Sequence, residues 1–208
     1  MPRRLLIRTN SHPYHITSRS HNKDWFSLPL NEVWNFCLKA LDFAHNKNPI
    51  SIHAFVLMGN HYHLVATTPN NDIDSFMMHF NKSFSEKIKS SSGAINQKFG
   101  GRYKWCIIEH QNYFYNVMRY VFRNPVRAGL VKKVESYPYS TAKEKKGKLT
   151  DAITFNMNMG QDYRTLLSFF NNENFMDDQV VKLALRHSHF KPSLDKNNLK
   201  PKALLLPP

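Results

Sequence analysis

The run Ile52-His53-Ala54-Phe55-Val56-Leu57-Met58-Gly59-Asn60-His61-Tyr62-His63-Leu64-Val65-Ala66 decides the fold. It reads as two strands, at about 50–58 and 61–67, joined at Gly59-Asn60. On a strand, residues two apart face the same side of the sheet. His61 and His63 therefore project together, and Tyr62 turns to the opposite face. Two imidazoles side by side on a stiff strand make half of a divalent-metal site. Taken alone, the pair is more simply two unrelated half-buried histidines, so a second constellation is needed to decide.

Working outward, residues 12–19 read as a strand. Leu30, Val33, Trp34, Cys37, Leu38, Leu41 and Ala44 follow helical spacing, with Asn31 as a cap. Ile73, Phe76, Met77, Phe80, Phe84 and Ile88 mark a second amphipathic helix. Residues 104–109 read as a strand and 111–124 as a third helix. The order β-α-β-β-α-β-α predicts an α+β fold on the ferredoxin-like, split βαβ plan, an antiparallel sheet with helices on one face. Residues 1–141 form that domain, and 142–208 a helical and irregular C-terminal extension packed on or trailing from it. Within the extension, 143–148 reads as a solvated charge run, 163–170 and 178–187 as short helices, and 191–208 as a tail.

The second constellation is Arg119-Tyr120-Val121-Phe122-Arg123-Asn124-Pro125-Val126-Arg127-Ala128-Gly129-Leu130-Val131. Phe114, Val117, Met118, Val121 and Phe122 share one face of the helix that leads into it, and Tyr113, Asn116, Tyr120 and Asn124 another. Tyr120 and Asn124 are one turn apart and therefore neighbours. Pro125 disfavours helical geometry at Asn124, so the helix is expected to end there. A phenol and a carboxamide are thus presented together at a helix end.

Together the two segments resemble the single-tyrosine HUH transposases, and within them the REP-associated tyrosine transposases. The resemblance runs over roughly residues 12–141, with its parts in the family's order. Pro13-Tyr14-His15-Ile16-Thr17-Ser18-Arg19 is similar to the family's first strand, and Leu57 to Val65 to its metal-binding strand. Gly100-Gly101-Arg102-Tyr103-Lys104-Trp105 is similar to the segment before the last strand. Tyr120 to Val131 is similar to the nucleophile helix and the Asn-Pro-Val-Arg-Ala-Gly run after it, and Tyr137-Pro138-Tyr139-Ser140-Thr141 to a short later signature. The H-x-H pair is weakly specific, the tyrosine run far more so. The resemblance implies Tyr120 as nucleophile, forming a covalent 5′-phosphotyrosine and a free 3′-hydroxyl on single-stranded or hairpin DNA.

Composition agrees. The chain has 208 residues, 41% of them hydrophobic, with 29 Lys and Arg against 15 Asp and Glu, a net charge of +14. A surplus that large favours polyanions. No apolar run approaches the ~20 residues of a bilayer span, and no signal-peptide core follows Met1. Cys37 and Cys106 lie in apolar patterns and read as reduced core residues of a cytosolic protein; the family resemblance implies the cytoplasm of a bacterium, with nucleoid association when bound to DNA. No G-x-x-x-x-G-K-[ST] loop is present, so no nucleotide cofactor is expected.

A cation near a phosphodiester offsets its charge and polarises phosphorus. His61 and His63 would give nitrogen ligands and Asn124 an oxygen, which suits Mg²⁺ or Mn²⁺, while Zn²⁺ also binds histidine. Arg19, Arg102, Lys104, Arg119, Arg123 and Arg127 are the candidate DNA contacts. Tyr103 and Trp105 are candidate base-stacking residues or core. His15 and His53 read as ordinary sheet histidines, with a place behind the ligands or a DNA contact as the alternative, Tyr113 as a weaker nucleophile and Tyr115 as surface. A homodimer is left open. A non-catalytic, RRM-type nucleic-acid module would explain charge and element order, but not two histidines on one strand with Tyr120 and Asn124 one turn apart. A relaxase shares the chemistry but usually carries other flanks around its histidines.

Overall fold

Alternation along the two quoted strands sorts their side chains between two different layers. In the computed structural model, which describes residues 5–93, 99, 101–143, 146–150, 152–156, 162–173 and 177–192, they are β2 (Ser51–Leu57) and β3 (His61–Thr67). With β1 (Tyr14–Arg19) and β4 (Lys104–Ile107) they form a four-stranded antiparallel sheet, ordered β2-β3-β1-β4. This is the ferredoxin-like order the element sequence predicts.

One face carries Tyr14, Ile16, Leu57, Tyr62 and Trp105, and it is covered by α1 (Leu30–Lys47) and α2 (Ile73–Ser92). Trp34 of α1 packs on Phe55, and Phe80 of α2 packs edge-on to Tyr62 at 5.2 Å. Every α2 position picked out by helical spacing is buried, from Ile73 to Ile88. α1 starts at Leu30 with Pro29 before it, so Asn31 lies inside the first turn and is not the cap. Tyr103 and Trp105 are both buried and belong to the core. Cys37 and Cys106 are buried and reduced, with no disulfide between them.

The third helix departs from the one-faced plan. α3 (Gln111–Phe122) lies across the other face of the sheet, with Phe114 edge-on to His53 and Tyr120 edge-on to His63. The helix breaks at Arg123 and resumes for one turn as α4 (Asn124–Arg127), with Pro125 in its first turn. There the missing N–H of proline breaks no helical bond of α4. It does deprive the Val121 carbonyl of its i+4 donor, and the Asn124 side-chain amide fills the gap, 3.2 Å from Val121 O and 2.9 Å from Tyr120 O. Asn124 is therefore a splice between two helical pieces rather than a simple stop.

Gly59 is needed for close approach. A Cβ there would stand 2.5 Å from the ring of Trp25, which lies against the β2–β3 turn. The segment before it is laced to the same turn by Phe26 N–H to Gly59 O and Ser20 N–H to Asn60 O, both 2.8 Å.

Both edges of the sheet are covered, which removes open pairing sites. Beside β2, Leu57 N–H donates to Tyr139 O, Tyr137 donates its hydroxyl to Leu57 O, and Phe55 N–H donates to Thr141 Oγ1. Beside β4, Ile107 exchanges backbone bonds of 2.8 Å with Ser188 and Phe190. Part of the charge run is a strand and not a loop: β5 (Lys146–Lys148) pairs with β6 (Thr154–Asn156), while 144 and 145 lie outside the described residues. Two short helices follow as expected, α5 (Tyr163–Asn171) and α6 (Asp178–Ala184). Most of the expected tail lies outside the described residues. Among the described residues, no helix is long and apolar enough to cross a membrane.

α5 and α6 are tied to α3 by arginines. Arg119 is 2% exposed and donates through Nε and Nη2 to Asn172 O, with Nη1 3.4 Å from Asp178. Arg123 donates to Asn171 O and pairs with Glu173. A buried guanidinium held by carbonyls and a carboxylate leaves those acceptors orphaned if it is removed. Arg119→Leu is expected to lower stability by about 3 kcal/mol, whereas exposed Lys82→Ala stays within about 0.5 kcal/mol; thermal and urea denaturation measure both. Equal midpoints for the two variants would show that the cluster carries no stability.

Candidate active site

The face opposite α1 and α2 carries the chemistry. Across β1–β3, Thr17 stands opposite His63 and Arg19 opposite His61, so all four side chains share that face. Lys104 of β4 stands opposite Thr17 and joins them. The His61 and His63 rings lie 5.2 Å apart, nearly perpendicular. Tyr120 comes down from α3 with its ring 5.9 Å from that of His63 and 6.4 Å from that of His15.

The His61 tautomer follows from its neighbours. Asn60 Nδ2 donates to Lys23 O at 2.7 Å, which turns the amide oxygen to His61 Nδ1 at 2.6 Å. An amide oxygen only accepts, so His61 carries its proton on Nδ1 and keeps a lone pair on Nε2. Burial, with help from Arg19 and Arg127, pushes the His61 pKa down to about 4. Burial also takes His15 down to about 3, and His63 well below its ordinary value, there reinforced by His15 and His61. All three imidazoles are neutral near pH 7. Neutral imidazole is the form that ligates a metal.

Asn124 presents its oxygen elsewhere. Its Oδ1 accepts from Arg127 Nη2 at 2.8 Å, and the Arg127 guanidinium lies over the Tyr120 ring, 4.2 Å from its centroid. Arg127 is itself 3.6 Å from Asp178. Two of the three expected cation donors therefore stand together, and the third is turned to a guanidinium. Among the described residues no three His, Cys, Asp or Glu side chains converge as a metal cage; two neutral imidazoles with an amide or solvent oxygen would be the hard and borderline mixture that suits a divalent cation.

The basic residues separate into groups. Arg19 and Lys104 are exposed on the histidine face, and Arg127 sits at Tyr120. Arg102 stacks on Tyr103 and borders α2 with Asp74 and Asn81, on the other side of the sheet. Arg119 and Arg123 are buried against the C-terminal helices, so neither guanidinium faces outward to a phosphate. Tyr115 is also buried, 3% exposed, against Phe169, and not at the surface. Tyr113 packs on Phe190. His53 faces Thr67 Oγ1 at 2.6 Å, as an ordinary sheet histidine does.

Sequence reasoning preferred an ordinary sheet histidine at His15 over a group supporting the ligands, whereas its Nε2 lies 2.9 Å from His63 Nδ1. Alternation with Thr17 and Arg19 was the available signal. The β1–β3 register, which sets His15 diagonal to His63, was not.

The chain matches the model of the IS200-like transposase family over residues 9–124, more than half of its 208 residues. Among solved structures it is similar to a REP-associated tyrosine transposase bound to a REP hairpin, with 21% identity and a TM-score of 0.61 over 73% of this chain and 94% of that one. It is also similar to a candidate transposase from Deinococcus radiodurans R1, with 14% identity and a TM-score of 0.40 over 58% of this chain and 94% of that one. No curated protein matches it. The family match takes in both histidines, Tyr120 and Asn124, and by it the chain belongs to the IS200-like transposases, enzymes that bind and cleave DNA in transposition.

Proposed function

We propose that this protein nicks and rejoins single-stranded DNA through Tyr120, beside a divalent cation, Mg²⁺ or Mn²⁺, held by His61 and His63 with Asn124 as third donor. The observation that carries the reading is the meeting of three rings on one sheet face: His61 on His63 at 5.2 Å, and His63 on Tyr120 at 5.9 Å. A non-catalytic module gives no reason for a phenol packed against one of a pair of neutral imidazoles. When bound, the cation would offset phosphate charge and polarise phosphorus.

The chain's own groups do the rest. The Tyr120 phenol oxygen attacks phosphorus and its proton leaves. The bond to the 3′ oxygen breaks, and that oxygen takes up a proton as a free 3′-hydroxyl. A 5′-phosphotyrosine stores the bond, and attack by a 3′-hydroxyl reverses the step without an energy source. Arg127, over the ring, places positive charge where the phenolate and the phosphate oxygens develop theirs. Asn124 stands one turn away and must exchange Arg127 for the cation. Arg19 and Lys104 supply phosphate contacts on the same face.

Similarity to the REP-associated protein, which is bound to a REP hairpin, supports a DNA hairpin as substrate; a single-stranded flank and a place in the bacterial cytoplasm at the nucleoid are part of the same proposal. The test of function is a denaturing gel: wild-type protein and labelled single strand form a covalent adduct that chelator abolishes. No adduct at any metal concentration would remove the reading. Binding is expected to weaken steeply with salt through counterion release, by roughly tenfold or more between 50 and 200 mM, and to rank flanked hairpin above featureless duplex. Titrations at several salt concentrations check both, and salt-independent binding would contradict the charge argument.

A further inference from the structure

Behind the candidate cation site stands a buried histidine with no part in the chemistry above. His15 is 3% exposed, and its ring meets that of His63 edge to edge, with centroids 5.2 Å apart and planes 30° from parallel. Its Nε2 lies 2.9 Å from His63 Nδ1, so one of those two nitrogens carries a proton and the other accepts it. Two neutral imidazoles can share that proton in two ways. If His15 Nε2–H donates, the remaining proton of His63 sits on Nε2, the atom facing away from His15, and that atom has no lone pair to offer. If His63 Nδ1–H donates, Nε2 is bare and can ligate. Only the second arrangement serves a metal.

The same construction recurs one alternation earlier on β3. His61 Nδ1–H is held by Asn60 Oδ1, and Asn60 is oriented by Lys23 O. Each imidazole therefore has a group able to accept a hydrogen bond behind Nδ1, an amide oxygen for His61 and the His15 ring for His63. Ligating histidines characteristically donate their second N–H to such a partner, which fixes tautomer and ring angle. Asn60 reaches His61 from the turn. His15 reaches His63 from the neighbouring strand, because the register puts Thr17 opposite His63 and His15 one pleat further along.

We propose that His15 is a positioning residue for the cation site: it accepts the His63 Nδ1 proton and thereby presents His63 Nε2 to a divalent cation. The inference rests on the reading of His61 and His63 as ligands.

The experiment measures Mn²⁺ affinity of the full chain without DNA, from the paramagnetic resonance signal of free Mn²⁺. His15→Phe keeps an aromatic ring but has no acceptor. His15→Gln loses the ring but places an amide oxygen near the position of Nε2. The expected result is a fall of about 10- to 100-fold for His15→Phe, with His15→Gln retaining most of the affinity and both variants binding single-stranded DNA in chelator like wild type. A simple packing role predicts the reverse ranking. Wild-type affinity in His15→Phe would overturn the proposal, and so would equal loss in both variants or a phenylalanine variant better than the glutamine one. Should His15→Phe not fold, His15→Gln and the ring ¹⁵N shifts of wild type decide, since His15 must carry its proton on Nδ1. Absence of Mn²⁺ binding in wild type would remove the reading of the site and the inference with it; wild-type binding with indifferent variants removes the inference alone.

Discussion

Tyr120→Phe is expected to abolish cleavage and the covalent adduct, by about four orders of magnitude or more, while fold and DNA binding persist. The variant removes one oxygen. The ring is 5% exposed and packs on His15, on His63 and beneath Arg127, and phenylalanine keeps every one of those contacts. Tyr113→Phe and Tyr115→Phe are the controls and should both cleave. Tyr113 faces Phe190, and Tyr115 faces Phe169, with its hydroxyl 3.4 Å from Gln111 Nε2, so neither phenol reaches the histidine face through the contacts it makes. An adduct mapped to Tyr113 or Tyr115 would assign the wrong helix face to the chemistry. Cleavage that survives in Tyr120→Phe without any adduct would replace the covalent step by attack of water.

What could be read in the sequence was what depends on short spacings. A period of two put His61 and His63 on one face because pleating leaves no other choice. Helical spacing picked the buried stripe of α2 because an apolar stripe has only one layer to enter. What could not be read depends on partners far away in the chain. Arg119 and Arg123 look like phosphate contacts until Asn171, Asn172 and Asp178, about fifty residues later, are folded against them. The 146–148 strand is too short and too charged to announce itself, and its partner strand creates it. The splice at Asn124 needed knowledge that a side-chain amide serves the carbonyl that Pro125 leaves without a donor. Placement of α3 on the far face follows from packing against His53 and His63, which no periodicity encodes.

His61→Ala is the sharpest test of the cation site, and a loss of cleavage of roughly a thousandfold is expected, since cation stabilisation of a phosphoryl centre is worth several kcal/mol. Mn²⁺ affinity should fall with it. His61 is only half-buried, and its hydrogen bond goes to Asn60, which stays anchored on Lys23 O after the ring is gone. The fold therefore has little reason to respond. His63→Ala should lose as much activity but also stability, by about 1–3 kcal/mol, because it leaves buried His15 without its hydrogen-bond partner. Asn124→Ala is the poorer probe, because the same side chain also caps Tyr120 O and Val121 O, so that lost cleavage could come from a disordered helix joint. The decisive pattern is His61→Ala with wild-type melting, wild-type single-strand binding in chelator, no Mn²⁺ binding and no adduct. Full cleavage by the His61→Ala, His63→Ala double variant in chelator would show that the imidazoles hold no cation that the reaction needs.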